Sequence, residues 1–220
     1  MTLRIERRAT GAAGGWGESL HPVLRRVYAA RGVRSEEELS LALSRLLPVG
    51  TLEGVEAAVE LLLAHRAPGR KVLVVGDFDA DGATSSVLIV RALRAWGFAA
   101  VDFLVPNRFE FGYGLTPEIV ALGAERAPTL IVTVDNGVAS IAGVAAARER
   151  GIDVLVTDHH LPGAELPAAN VMVNPNLAGS RFGSRALAGV GVAFYVMVAL
   201  KRALDAAGLV ARGAPLSCAL

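Results

Sequence analysis

A doubly wound α/β domain, built on a mainly parallel five-stranded sheet and preceded by a small helical element, is predicted for this 220-residue sequence by three observations. Short apolar runs recur at residues 71–75, 100–105, 129–134, 153–157 and 171–173. Longer stretches with helical spacing lie between and after them, at 83–96, 117–125, 139–150 and 185–206. The runs are apolar throughout rather than alternating, which is the pattern of strands covered on both faces, and helices of this length between strands imply βαβ crossovers.

The elements follow in order. Residues 1–17 are rich in Gly, Ala and Arg without periodicity and read as a flexible arm. Residues 18–67 read as a helical cap. Its first helix, 21–31, carries Val23, Leu24, Val27 and Tyr28 at helical spacing and ends at Gly32. Ser35 before Glu36, Glu37 and Glu38 has the form of a capping box with an acidic first turn, leading into a second helix over 39–47 that Pro48 stops. The third, 52–65, places Val55, Ala58, Val59, Leu62 and Leu63 on one face. Pro68 and Gly69 open the main domain, 68–207, and 208–220 are a tail or the start of a continuation.

Composition narrows the function. Hydrophobic residues make up 53% of the chain, enough for a sizeable core. No charge-free apolar run reaches the ~18 residues of a membrane span, and no apolar segment follows the basic residues of the N-terminus, so a cytoplasmic protein without membrane contact is expected. Cys218 is the single cysteine, which rules out an intrachain disulfide and leaves metal binding to oxygen and nitrogen ligands. A net charge of +1 does not by itself announce nucleic-acid binding. Trp16, His21, His65, Trp96 and Cys218 read as structural.

Ligands of open α/β sheets gather at the carboxyl ends of the strands. The residues there are Asp77, Asp79 and Asp81 after the first run, Asn107 and Arg108 after the second, and Asp135, Asn136 and Gly137 after the third. Asp158, His159 and His160 follow the fourth, and Asn174 the fifth. Three carboxylates at the mouth of a buried strand repel one another and resist leaving water, so a cation is expected among them. Alone, the DFDADG string is equally a solvated turn or part of a calcium loop. Asp135 and the His pair at neighbouring strand ends favour the metal.

Asp77, Asp79, Asp81, Asp135 and His159 are the candidate ligands. Carboxylates suit Mg²⁺ or Mn²⁺, and an imidazole tilts the choice towards Mn²⁺. So many carboxylates make two ions more natural than one, with Asp135 as the bridge for phosphoryl-transfer chemistry. Sequence neighbours do not share one face, so His159 is assigned to metal and His160 to the scissile phosphate, as cationic donor or general acid. Asp158 either orients an imidazole or coordinates directly. Asn107 and Arg108, before Gly112, Tyr113 and Gly114, form either a phosphate-holding loop or a plain turn. Gly189 to Gly191 serve either close packing or anion binding at a helix N-terminus.

The strings VVGDFDADGATSS, PNRFEFGYGL, TVDNG, TDHH and LAGVGVAF, in this order and spacing, resemble the DHH phosphoesterase superfamily and its RecJ-type single-strand-specific DNA exonucleases. The resemblance covers about residues 68–204. It implies a Mn²⁺- or Mg²⁺-dependent 5′ to 3′ exonuclease acting on single-stranded DNA in recombination and repair, with single-strand-binding or repair proteins as partners. By position it implies metal binding by Asp77, Asp79, Asp81, Asp135 and His159, a DHH signature completed by Asp158 and His160, and a phosphate-facing loop at Asn107 and Arg108. It also implies a further aspartate and a second, substrate-binding domain where this chain stops at Leu220, so a fragment is expected. Acting on short oligonucleotides or cyclic dinucleotides, or serving as a catalytically inactive scaffold, are the other readings.

Overall fold

The computed structural model describes residues 4, 6, 16, 20–40 and 42–210. These fall into two compact units, residues 1–46 and 47–220. In the first, α1 (Pro22–Ala30) starts at His21, whose Nδ1 accepts a hydrogen bond from the Val23 amide at 3.3 Å. The second expected helix does not form. Two 3₁₀ turns, Glu36–Leu39 and Leu43–Arg45, take its place, and Ser35 makes no side-chain cap. At Ser40 the backbone turns out to ψ 124°, and none of Glu36–Leu39 is buried against a neighbour that would hold a longer helix.

The second unit holds the sheet. α2 (Val55–Ala64), which the sequence groups with the N-terminal cap, packs here on the later elements. Strands β1 (Lys71–Gly76), β2 (Ala100–Leu104), β3 (Leu130–Val134), β4 (Asp153–Thr157) and β5 (Val171–Val173) pair in the order β2-β1-β3-β4-β5, all parallel. The helices are α3 (Ala80–Ala95), a short α4 (Arg108–Phe111) where only a loop was expected, α5 (Pro117–Ala124), α6 (Ile141–Glu149) and α7 (Gly189–Ala206).

Strand alternation divides the core into two layers. Val72, Val74, Leu130, Val132 and Leu155 face α2, α3 and α7, while Leu73, Val75, Ile131, Val154 and Val156 face α5 and α6. Burial on both faces is why these strands read as continuous apolar runs. Leu73, Ile131 and Leu155 are fully buried, and truncating such a side chain to alanine costs about 2–5 kcal/mol. His65 is buried and structural: one ring nitrogen meets Thr129 Oγ1 at 2.9 Å and the other Asp153 Oδ2 at 3.0 Å. Cys218, most of the arm expected at 1–17 and most of the tail expected at 208–220 lie outside the described residues. Among the described residues no helix is long and apolar enough to cross a membrane.

A carboxylate also fixes the segment before α7. Glu53 Oε1 accepts the Arg181 amide at 2.7 Å and Oε2 the Ser180 hydroxyl at 2.9 Å. The Arg181 amide, then the backbone around Glu53 and the Ser180 hydroxyl, lower its pKa from 4.5 to about 2. Because the folded value is depressed, the stabilisation is complete above about 4.5 and vanishes as pH falls through about 2. Glu53→Gln is expected to lower the urea midpoint at neutral pH, with the gap to wild type closing in acid. Equal midpoints at neutral pH would refute this.

Candidate metal centre

In the order β2-β1-β3, the connections that follow β1 and β3 run over opposite faces of the sheet, through α3 and α6, and crevices at such switch points hold ligands. Every strand-end residue named above lies on this edge. Asp79 N-caps α3, its Oδ1 accepting the Gly82 amide at 2.9 Å, and that bond is the main cause of its lowered pKa. Gly82 is required for the turn, since a Cβ there would meet the Asp77 carbonyl oxygen at 2.3 Å.

Asp81 reaches away to α7. Its two oxygens accept the Gly189 and Val190 amides at 2.8 and 2.7 Å. Of the two roles open for the glycines, this N-terminus performs both: it holds an anion, here a side chain of the same protein, and it packs closely. A Cβ at Gly189 would lie 2.8 Å from Asp135 Oδ1. α7 begins at Gly189, where Asp81 accepts its first two amides, rather than at the expected 185.

Asp135 is the centre of the arrangement. It follows β3 with a left-handed backbone (φ 60°) and is 2% exposed. Oδ1 has no hydrogen-bond partner, although His159 Nε2 lies 3.0 Å from it. Burial, then the charges of Asp81 and Asp79, push its pKa up to about 7. An unpartnered buried carboxylate oxygen facing an imidazole, with two acidic neighbours, fits a divalent cation. Among the described residues, two sets of side chains lie within ligating reach of one another: Asp77, Asp79 and Asp135, and Asp135, His159 and His160. Asp81 is outside both, but its Oδ2 is 3.7 Å from His159 Nε2.

The two histidines diverge less than strand alternation predicts. Their ring centroids are 4.6 Å apart, because β4 has ended at Thr157 and they sit in the following loop. Asp158 orients them. Oδ1 accepts the His159 and His160 amides and His160 Nδ1 at 2.7, 3.1 and 2.7 Å, and Oδ2 accepts the Val138 amide at 2.8 Å. Burial alone would lower the His160 pKa, but the bond to Asp158 and the charges of Asp158, Asp135 and Asp77 outweigh it, and the net shift is upward.

Asn107 caps α4 through the Phe109 amide at 3.1 Å, a turn role. Arg108 crosses to Asp77, its Nη2 lying 2.8 and 2.7 Å from the two carboxylate oxygens. Three positions that carry no assignment from sequence complete the edge. The Tyr113 hydroxyl donates to the Asp135 carbonyl oxygen at 3.1 Å, and its ring stands edge-on to His160. Asn136 Nδ2 bridges the Val75 and Val134 carbonyls at the ends of β1 and β3. Asn176 Nδ2 holds the His159 carbonyl. Asn136 stands at the end of the third apolar run and Tyr113 in the glycine-flanked loop, which were the signals for them, whereas Asn176 had none.

Residues 71–214 match the DHH family, N-terminal domain. The chain is 54% identical over 199 residues to the single-stranded-DNA-specific exonuclease RecJ of Escherichia coli (strain K12), covering 90% of this chain and 34% of that protein. A crystal structure of exonuclease RecJ bound to manganese is 37% identical, with a TM-score of 0.64 over 72% of this chain and 40% of that one. RecJ of Thermus thermophilus in complex with Mg²⁺ is 28% identical, with a TM-score of 0.50 over 85% of this chain and 22% of that one. The chain spans about a third of the length of the curated relatives it matches. With the family model matched across residues 71–214, which include all five strands, this chain belongs to the DHH family.

Proposed function

We propose that this chain is the metal-dependent catalytic portion of a single-strand-specific DNA exonuclease, hydrolysing phosphodiesters in the 5′ to 3′ direction in recombination and repair. The observation that carries the reading is Asp135 Oδ1, buried without a hydrogen-bond partner beside His159 and amid the β1 aspartates. The candidates to hold Mn²⁺ or Mg²⁺ are Asp77, Asp79, Asp81, Asp135 and His159, of which Asp77, Asp79 and Asp135 lie within ligating reach of one another, and the donor set has room for two ions. When bound, such ions supply a nucleophilic water at neutral pH and charge for the leaving oxygen.

The chain's own residues do the rest. Asp158 fixes His160, which holds a proton at the outward ring nitrogen, facing the reacting phosphate. Tyr113 buttresses both His160 and the Asp135 backbone. A cleft of about 280 Å³ beside His160, lined by Tyr113, Ser140, Ile141 and Leu161, has room for part of a nucleotide. Single-strand-binding and repair proteins are the partners this reading calls for.

Asp79→Ala in the complete protein is expected to lower Mn²⁺-dependent degradation of a single-stranded oligonucleotide by about a thousandfold or more. Undiminished cleavage would overturn the assignment. If a dinucleotide outcompetes a 5′-phosphorylated strand, the substrate is instead a short oligonucleotide.

A further inference from the structure

One aspartate of the three behaves unlike the others. Asp79 caps α3 and Asp81 holds the start of α7, so each is bound through backbone amides of a helix. Asp77 is bound through a cation. Arg108 Nη2 lies 2.8 Å from its Oδ1 and 2.7 Å from its Oδ2, and Oδ1 also accepts the Phe78 amide at 2.7 Å. The Asp77 side chain is only 9% exposed. A carboxylate so desolvated gives up its charged partner at high cost, because the charge left behind is buried and uncompensated.

The guanidinium is held on its faces as well as its edge. Its carbon lies 4.0 Å from the Phe78 ring centroid and 5.4 Å from that of Tyr113. The remaining donors divide by exposure. Nε is buried with no hydrogen-bond partner, as is Asn136 Oδ1, and both residues line a cavity of about 10 Å³ that Asp77 also borders, the size of a single water. Nη1 has no protein partner among the described residues and is the donor left to face outward. The backbone beneath is equally constrained, since Gly82 packs its α-carbon against the Asp77 peptide. Residue 77 follows β1 and residue 108 follows β2, so the pair fastens together the ends of two adjacent strands.

We propose that Asp77 is a positioning residue for Arg108 rather than a metal ligand: it fixes the guanidinium edge-on at the rim of the metal centre, so that Nη1 meets a substrate phosphate. The inference rests on the exonuclease reading and deepens it by dividing the β1 aspartates into two that serve the metal and one that serves the phosphate. Asp77 lies within ligating reach of Asp79 and Asp135, so a direct measurement has to separate the two roles.

That measurement uses the complete protein, Mn²⁺ alone as one probe and, as the other, a fluorescent 5′-phosphorylated oligothymidylate with cleavage-resistant phosphorothioate linkages in Mn²⁺. Wild type is expected to bind both, and failure to bind Mn²⁺ would overturn the metal-centre reading. Binding of Mn²⁺ without the oligonucleotide would overturn the phosphate role of Arg108 and this inference with it. Asp77→Asn is expected to bind Mn²⁺ within about threefold of wild type and to lose about tenfold or more in oligonucleotide affinity, the scale of one charge-assisted hydrogen bond. Arg108→Gln is expected to lose as much, and the double variant no more than either single one, because the two residues act as a unit. A general loss of structure would make the losses additive and lower Mn²⁺ affinity too. A tenfold or greater loss of Mn²⁺ affinity in Asp77→Asn makes it a ligand and overturns the proposal, as does unchanged oligonucleotide affinity.

Discussion

Asp135→Asn is expected to abolish Mn²⁺ binding and, at the same time, to make the metal-free chain more stable. The two effects have one cause. Asp135 is buried with an unpartnered oxygen, and burial followed by the charges of Asp81 and Asp79 raises its pKa from 3.8 to about 7. For a carboxyl raised on folding, the folded state binds the extra proton. Metal-free stability is therefore greatest below about 3.8 and falls as pH rises towards about 7, after which the full charge penalty is present. Asparagine has nearly the same shape, tolerates the left-handed backbone and cannot ionise. Its gain should be on the order of 1–2 kcal/mol, several degrees in Tm, above neutrality, and should shrink in acid. Melting curves in a chelator at two pH values, with Mn²⁺ calorimetry, test both halves. A variant that binds Mn²⁺ like wild type, or that melts lower in mildly alkaline buffer, contradicts the account.

Gly189→Ala is expected to reverse the ordinary sign of a glycine-to-alanine change in a helix. In an exposed helix interior the substitution stabilises by up to about 1 kcal/mol. Here the new methyl would lie 2.8–3.0 Å from the Asp135 carboxylate. Asp135, packed in a left-handed turn, has little room to retreat, so the start of α7 must shift and loosen the two amides from Asp81. A loss of about 1–3 kcal/mol, with Mn²⁺ affinity reduced by at least about tenfold, follows from crowding a packed site. Wild-type stability and metal affinity in this variant would show that the edge is more pliant than its contacts indicate.

The sheet was legible because its signal is one-dimensional. Strands buried on both faces read as unbroken apolar runs, and all five lie within a residue of the expected limits. The helix expected over 39–47 failed because capping letters at Ser35 and Glu38 describe what a helix start needs, not whether a packed face exists to hold the helix. At the site, residue types and strand ends were readable, so Asp77, Asp79, Asp81, Asp135, Asp158, His159 and His160 do meet on one edge. Their division of labour was not. Whether an aspartate faces an ion, a helix terminus or an arginine depends on what the fold brings opposite it: Arg108 for Asp77, Gly189 and Val190 for Asp81. Neither juxtaposition has a local trace in the sequence.

The bond between Asp81 and the start of α7 has a consequence in time. It joins positions 108 residues apart, so the geometry of the loop after β1 depends on a helix far along the chain, and closing the contact carries the entropy of a long loop. A growing chain makes the acidic loop after β1 well before α7, so the bonds from Asp81 can close only once α7 is present. Metal binding is expected to require this contact to be closed, and amide exchange at Gly189 and Val190, slowed while Asp81 holds them, measures how often it opens.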